Sequence, residues 1–147
     1  MQARYLLIDG HSVIFAREDL RRIHQGNRAE ARRLLIEAAQ RLHDGGQWRV
    51  TLVFDGTLGT ATPRTPHSIC VAYSTADETA DSMIERTVHG SGKAAQILVI
   101  TADEAERRTV ESLGATCASP EWLMSEMEMT ERELQQSLRT IQRKARW

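Results

Sequence analysis

The chain has 147 residues, a formal net charge of −1, five histidines and two cysteines. That length gives one domain with room for a full apolar core, and the charge excludes a protein that grips nucleic acid by bulk positive potential. No stretch approaches the roughly 18 apolar residues of a membrane span, and Asp9 cuts the apolar run after Arg4 too early for a secretory signal, so no membrane association and a cytoplasmic setting are expected. Cys70 and Cys117 sit in apolar surroundings and read as thiols of a reducing compartment rather than disulfide halves.

The first element is Tyr5-Leu6-Leu7-Ile8-Asp9-Gly10, an apolar run without alternation that ends in a carboxylate and a turn residue. Such a run predicts a strand buried on both faces, as a parallel sheet requires. A helix is expected over 13–24. A second begins at Asn27, a capping residue with Glu30 three positions on, and carries Ala31, Leu34, Leu35, Ala38 and Leu42 to a stop at Gly45-Gly46. The arginines between 17 and 41 read as a solvated helix face, or as phosphate contacts if they border a site.

The second strand, 49–54, ends in Asp55-Gly56 and leads to a segment over 57–66 too rich in threonine, glycine and proline for regular structure. A strand over 68–73 follows, then a helix over 77–89 with Asp77, Asp81 and Glu85 at spacing four. The strand at 96–100 runs through Thr101-Ala102-Asp103 into a helix over 104–113, with Gly114 as its stop and a short strand at 115–118 beyond it. Ser119-Pro120 opens a helix in the preferred cap-then-proline order. Thr130 with Glu133 predicts the start of an appended tail helix, 130–147, whose Leu134, Leu138 and Ile141 form a narrow stripe. Strands alternate with helices throughout. The expectation is a single three-layer α/β/α domain over 1–147 with a mainly parallel sheet of about five strands.

Asp9, Asp55 and Asp103 each close a strand, and ligands of open α/β sheets gather at the carboxyl ends of the strands. Carboxylates packed together raise one another's pKa unless a cation neutralises them. Oxygen ligands without sulfur or imidazole suit hard ions, Mg²⁺ or Mn²⁺, and such ions support water attack on a phosphodiester. Each aspartate taken singly serves as readily as a helix cap, Asp103 above all because Glu106 lies three residues on. The single glycine of Asp9-Gly10-His11-Ser12 and the absence of a Walker loop argue against a nucleotide cofactor. The histidines show no ligand spacing and read as surface or loop residues.

Leu7-Ile8-Asp9-Gly10, Val53-Phe54-Asp55-Gly56, the stretch from Glu78 through Asp81 to Glu85, and Ile100-Thr101-Ala102-Asp103 with Gly114-Ala115 and Ser119 together resemble the YacP-like NYN domains, over about 5–123. That resemblance implies a PIN-like fold, an acidic metal site and RNA cleavage, in some members on ribosome-associated messenger RNA. It implies metal-binding and catalytic roles for Asp9, Asp81 and Asp103, with Asp55 as a further ligand, and it selects Asp81 over Asp77. The family's Gly-Tyr-Asn is replaced here by Gly10-His11-Ser12. Ser12 and Thr101 are expected to contact substrate.

The reading is a metal-dependent endoribonuclease with RNA, and through it the ribosome, as partner. The alternative is a non-catalytic RNA- or ribosome-binding module on the same fold, motivated by Ser12 and the near-neutral charge. The tail stripe offers a surface for a homodimer.

Overall fold

The structure, a computed structural model, describes residues 4–56 and 69–145. Five strands are formed: β1 (Tyr5–Asp9), β2 (Arg49–Phe54), β3 (Cys70–Tyr73), β4 (Ile97–Ile100) and β5 (Thr116–Ala118). They pair in parallel throughout, in the order β3-β2-β1-β4-β5, with Asp9 opposite Val53 and Ile8 opposite Ile100. The unbroken apolar run of β1 follows from its central place. Leu6 and Ile8 belong to the core on one face of the sheet and Leu7 to the core on the other.

The first face is covered by α1 (Gly10–Ala16), α2 (Glu18–Gly26), α3 (Arg28–Asp44) and the start of a later helix; the second by α4 (Ala80–Gly90) and α5 (Glu104–Ser112). This is the three-layer arrangement expected. The segment expected as an irregular loop, 57–66, lies outside the described residues, as does Ser68 at the expected start of β3.

The helix expected over 13–24 is two helices. Arg17 adopts extended geometry and separates α1 from α2. The apolar pattern carries no mark of this bend, because Val13 and Leu20, seven residues apart, would share a face of one straight helix. Asn27 caps α3 as expected, accepting from Glu30 N at 3.0 Å. The reciprocal half of the box is not made: the Glu30 carboxylate pairs with Arg33, and Asn27 N donates to the Ile23 carbonyl.

Helix α4 starts at Ala80 rather than Asp77, because the Thr79 side chain accepts from Ser82 N and caps it there. Asp77 is therefore off the helix and exposed. Gly114, with φ +103°, ends the α5 segment as expected. Both cysteines are free, and burial pushes the Cys117 thiol up to about 11, which keeps it protonated at neutral pH.

Ser119 caps α6 (Pro120–Lys144) by accepting from Trp122 N. This helix is continuous, and Thr130 is interior to it. Residues 126–129, Glu-Met-Glu-Met, are good helix formers, so nothing ends the preceding turn and the Thr130–Glu133 pair has no boundary to cap. The first part of α6 packs on the domain through Leu123, a Trp48–Trp122 edge contact and an Arg41–Glu131 ion pair of 3.2 Å. Beyond it Leu134, Leu138 and Ile141 are 47%, 50% and 62% exposed. No described helix is long and apolar enough to cross a membrane.

Gly10, the first residue of α1, lies against the edge of the Phe54 ring, where an added Cβ would overlap ring carbons. The ring is fully buried and cannot swing away. Gly10→Ala should therefore destabilise the protein by about 1–3 kcal/mol in urea unfolding. Part of that loss should return in the double variant with Phe54→Leu, measured as coupling in a double-mutant cycle. Additive losses would show that the close approach is relieved elsewhere.

Candidate metal centre

Chain order reverses at β1: β2 and β3 lie to one side, β4 and β5 to the other. The carboxyl end of β1 therefore opens onto the crevice where parallel sheets bind ligands. Asp9 stands there, buried at 6% exposure. Its Oδ2 accepts from Ser12 Oγ at 3.0 Å, and the same hydroxyl accepts from Ala102 N at 3.1 Å. One serine thus ties the end of β1 to the loop after β4.

Asp81 enters from the first turn of α4. The start of that helix is fixed twice, by the Thr79 cap and by Asp55, whose Oδ1 accepts from Ala80 N at 2.8 Å and from Ser74 Oγ at 3.2 Å. The third carboxylate is Glu106 on α5, 2% exposed. Thr101 Oγ1 donates to Glu106 Oε2 at 2.7 Å. Asp103 caps α5, its Oδ1 accepting from Ala105 N and Glu106 N at 2.9 and 3.2 Å. Among the described residues Asp9, Asp81 and Glu106 form the one cluster with the spacing of a metal site, an oxygen from each lying within 4.8 Å of the others.

Burial raises the Asp9 carboxyl to about 6, against the Ser12 hydrogen bond and with the help of the Asp81 charge. Burial likewise raises Glu106 to about 8, opposed by Thr101 and reinforced by Asp81 and Asp9. Glu106 Oε1 is buried with no N–H or hydroxyl donor, and the Asp81 carboxyl beside Glu106 can only share a proton with it. A buried carboxyl with two further carboxylates against it fits a hard divalent cation, which would take the place of the shared proton and cancel the repulsion.

Of the residues expected at the site, Asp9 and Asp81 are brought together. Asp55 and Asp103 stand outside the three-carboxylate cluster, each occupied with backbone amides at a helix start. Ser12 and Thr101, expected to contact substrate, donate their hydroxyls to the carboxylates of Asp9 and Glu106. Glu106 went unrecognised because its spacing from Asp103 mimics a capping box. The legible signal was its place four residues before Val110 and seven before Leu113, a carboxylate on the inward stripe of α5.

Arg32 also departs from the solvated-face expectation. It is 5% exposed, its guanidinium lies 5.2 Å from the Phe54 ring centroid and 5.6 Å from that of Tyr73, and Nη2 donates to the Asp55 carbonyl at 2.7 Å. His11 Nδ1 lies 3.7 Å from Asp55 Oδ2. Burial lowers the His11 pKa, opposed by the Asp55 charge and reinforced by Arg32.

The family model of the YacP-like NYN domain matches residues 6–147. The chain belongs to that family. It is 32% identical over 139 residues to the uncharacterised protein YacP of Bacillus subtilis, covering 92% of this chain and 82% of that one. Two crystal structures of Rae1 (YacP) from Bacillus subtilis superpose with TM-scores of 0.82. One, carrying a tryptophan-to-leucine substitution, shares 30% identity and is matched over 97% of this chain and 86% of its own; the other shares 31% over 95% and 82%. The NYN domain is a PIN-like nuclease family, which supports a nuclease-like, RNA-related function for this member.

Proposed function

We propose that this protein is a cytoplasmic endoribonuclease that uses Mg²⁺ or Mn²⁺ to hydrolyse RNA, including ribosome-associated messenger RNA. The observation that carries the reading is the convergence of Asp9, Asp81 and Glu106 at the strand-order switch of an NYN domain. Those three carboxylates would hold the ion. When bound, it supplies Lewis-acid activation of water and neutralises charge on the phosphodiester.

The chain's own groups prepare that site. Ser12 keeps Asp9 oriented and favours its ionised form through the hydrogen bond to Oδ2. Thr101 does the same for Glu106 and leaves Oε1 available. Asp55 and Asp103 serve one step back by fixing the first turns of α4 and α5, so the ligands arrive on rigid helices rather than on loops.

The test is a calorimetric Mn²⁺ titration of the wild type beside Asp81→Asn, followed by single-stranded RNA scored for cleavage. Metal uptake and cleavage by the wild type, both lost in Asp81→Asn, are expected. RNA binding by the wild type without metal uptake or turnover would instead favour the non-catalytic module.

A further inference from the structure

Three aromatic rings stand together just beyond the acidic centre. His11 and Phe15 are one turn apart on α1, and His24 reaches them from α2; the centroids are 5.9 Å apart for His11–Phe15, 5.9 Å for His11–His24 and 5.2 Å for Phe15–His24. The bend at Arg17 is what folds α2 back so that His24 meets the other two. Core packing does not account for the group, since α1 buries Val13 and Ile14 completely and leaves Phe15 50% exposed.

The cluster is wired to the candidate centre through one residue. His11 Nδ1 is 3.7 Å from Asp55 Oδ2, and the other oxygen of that carboxylate accepts from Ala80 N, next to Asp81. The surroundings are positive on this side: Arg28 and Arg32 lie close enough to act electrostatically on both imidazoles. Arg28 is exposed. An exposed ring backed by two more rings, beside an arginine and one residue from the candidate metal centre, matches what an unpaired nucleobase with its phosphate presents.

We infer that His11, Phe15 and His24 form a stacking platform that receives an unpaired base of single-stranded RNA next to the cleaved bond, with Phe15 as the contacting ring and Arg28 facing the adjoining phosphate. The inference rests on the ribonuclease reading and narrows its substrate class. Bases held in a duplex keep their faces stacked on one another, so duplex RNA is the poorer ligand.

The experiment compares the full chain with Phe15→Leu and Phe15→Trp. Binding of a labelled oligoadenylate RNA, alone and annealed to oligouridylate, is measured in the presence of a chelator, and cleavage of the single strand is then measured with Mn²⁺. Leucine should weaken single-strand binding roughly tenfold, leave duplex binding unchanged and raise KM more than it lowers kcat, while tryptophan restores affinity. Because Phe15 is half exposed, the unfolding midpoints should stay close to that of the wild type. A Phe15→Leu protein that binds the single strand as tightly as the wild type overturns the platform, as does an equal loss for single strand and duplex or a failure of tryptophan to rescue. Cleavage by the wild type alongside such a result leaves the ribonuclease reading standing; a wild type that neither binds nor cleaves overturns both.

Discussion

Glu106→Gln is expected to lower Mn²⁺ affinity at least about a hundredfold and RNA cleavage with it, while making the metal-free protein more stable. Replacing groups that merely orient a metal ligand costs roughly 10–100-fold, so loss of the ligand's own charge should cost no less. The stabilisation has a separate origin. Glu106 is buried beside Asp9 and Asp81, and its carboxyl is raised to about 8, so ionising it at alkaline pH works against the fold. Glutamine keeps an acceptor for Thr101 and brings no charge. A gain of about 2 kcal/mol at pH 8.5 corresponds to roughly 4–8 °C in the unfolding midpoint of a domain this size.

Asp103→Ala is the contrasting variant. It removes the α5 cap and should cost about 1 kcal/mol of stability, with at most a modest loss of metal affinity. Metal binding lost as completely in Asp103→Ala as in Glu106→Gln would mean that Asp103 is itself a ligand.

The metal-free wild type should lose stability as pH rises from about 6.5 to 8.5; below that range the lowered pKa values of His11 and His24 act in the opposite sense to the buried carboxyls. The folded-state values of Asp9, about 6, and Glu106, about 8, both lie above those of unfolded carboxyls. Between the unfolded and folded values these two groups hold more protons in the native state than in the unfolded chain, so their contribution to stability falls with rising pH through 6 and then 8. A divalent cation competes with the same protons. Its affinity should climb towards tenfold per pH unit while one of these groups remains protonated, and binding at pH 7 should release protons. Unfolding midpoints with chelator and with Mn²⁺ across this range measure the first effect; calorimetry in two buffers of different ionisation enthalpy measures the second. A metal-free midpoint that is flat or rises between pH 6.5 and 8.5 would count against the buried cluster.

How far the sequence reaches differs from element to element. The uninterrupted apolar runs of β1 and β4 announced a parallel sheet because strands covered on both faces need no polar alternation. Caps at Asn27 and Ser119 were legible because each bonds to an amide within three residues, an interaction contained in the local sequence. The break at Arg17 was not, since it depends on what α1 and α2 pack against rather than on residues nearby; at Thr130 the capping pair stands where Glu126 to Met129, good helix formers, leave no preceding stop.

The acidic site divides along the same line. The sequence by itself determined that carboxylates end the central strands of a parallel sheet, and its resemblance to the NYN motifs singled out Asp9, Asp81 and Asp103, with Asp55 as a further ligand. Only the tertiary structure decided that Glu106 joins Asp9 and Asp81, that Asp55 and Asp103 turn to helix amides, and that Ser12 and Thr101 hold the carboxylates from behind. Asp103 and Glu106 are three residues apart, and either could have faced the crevice. The start of α5 settles it: a carboxylate at the cap position is held by free amides, while one on the first turn is carried round the helix to the side that faces the sheet.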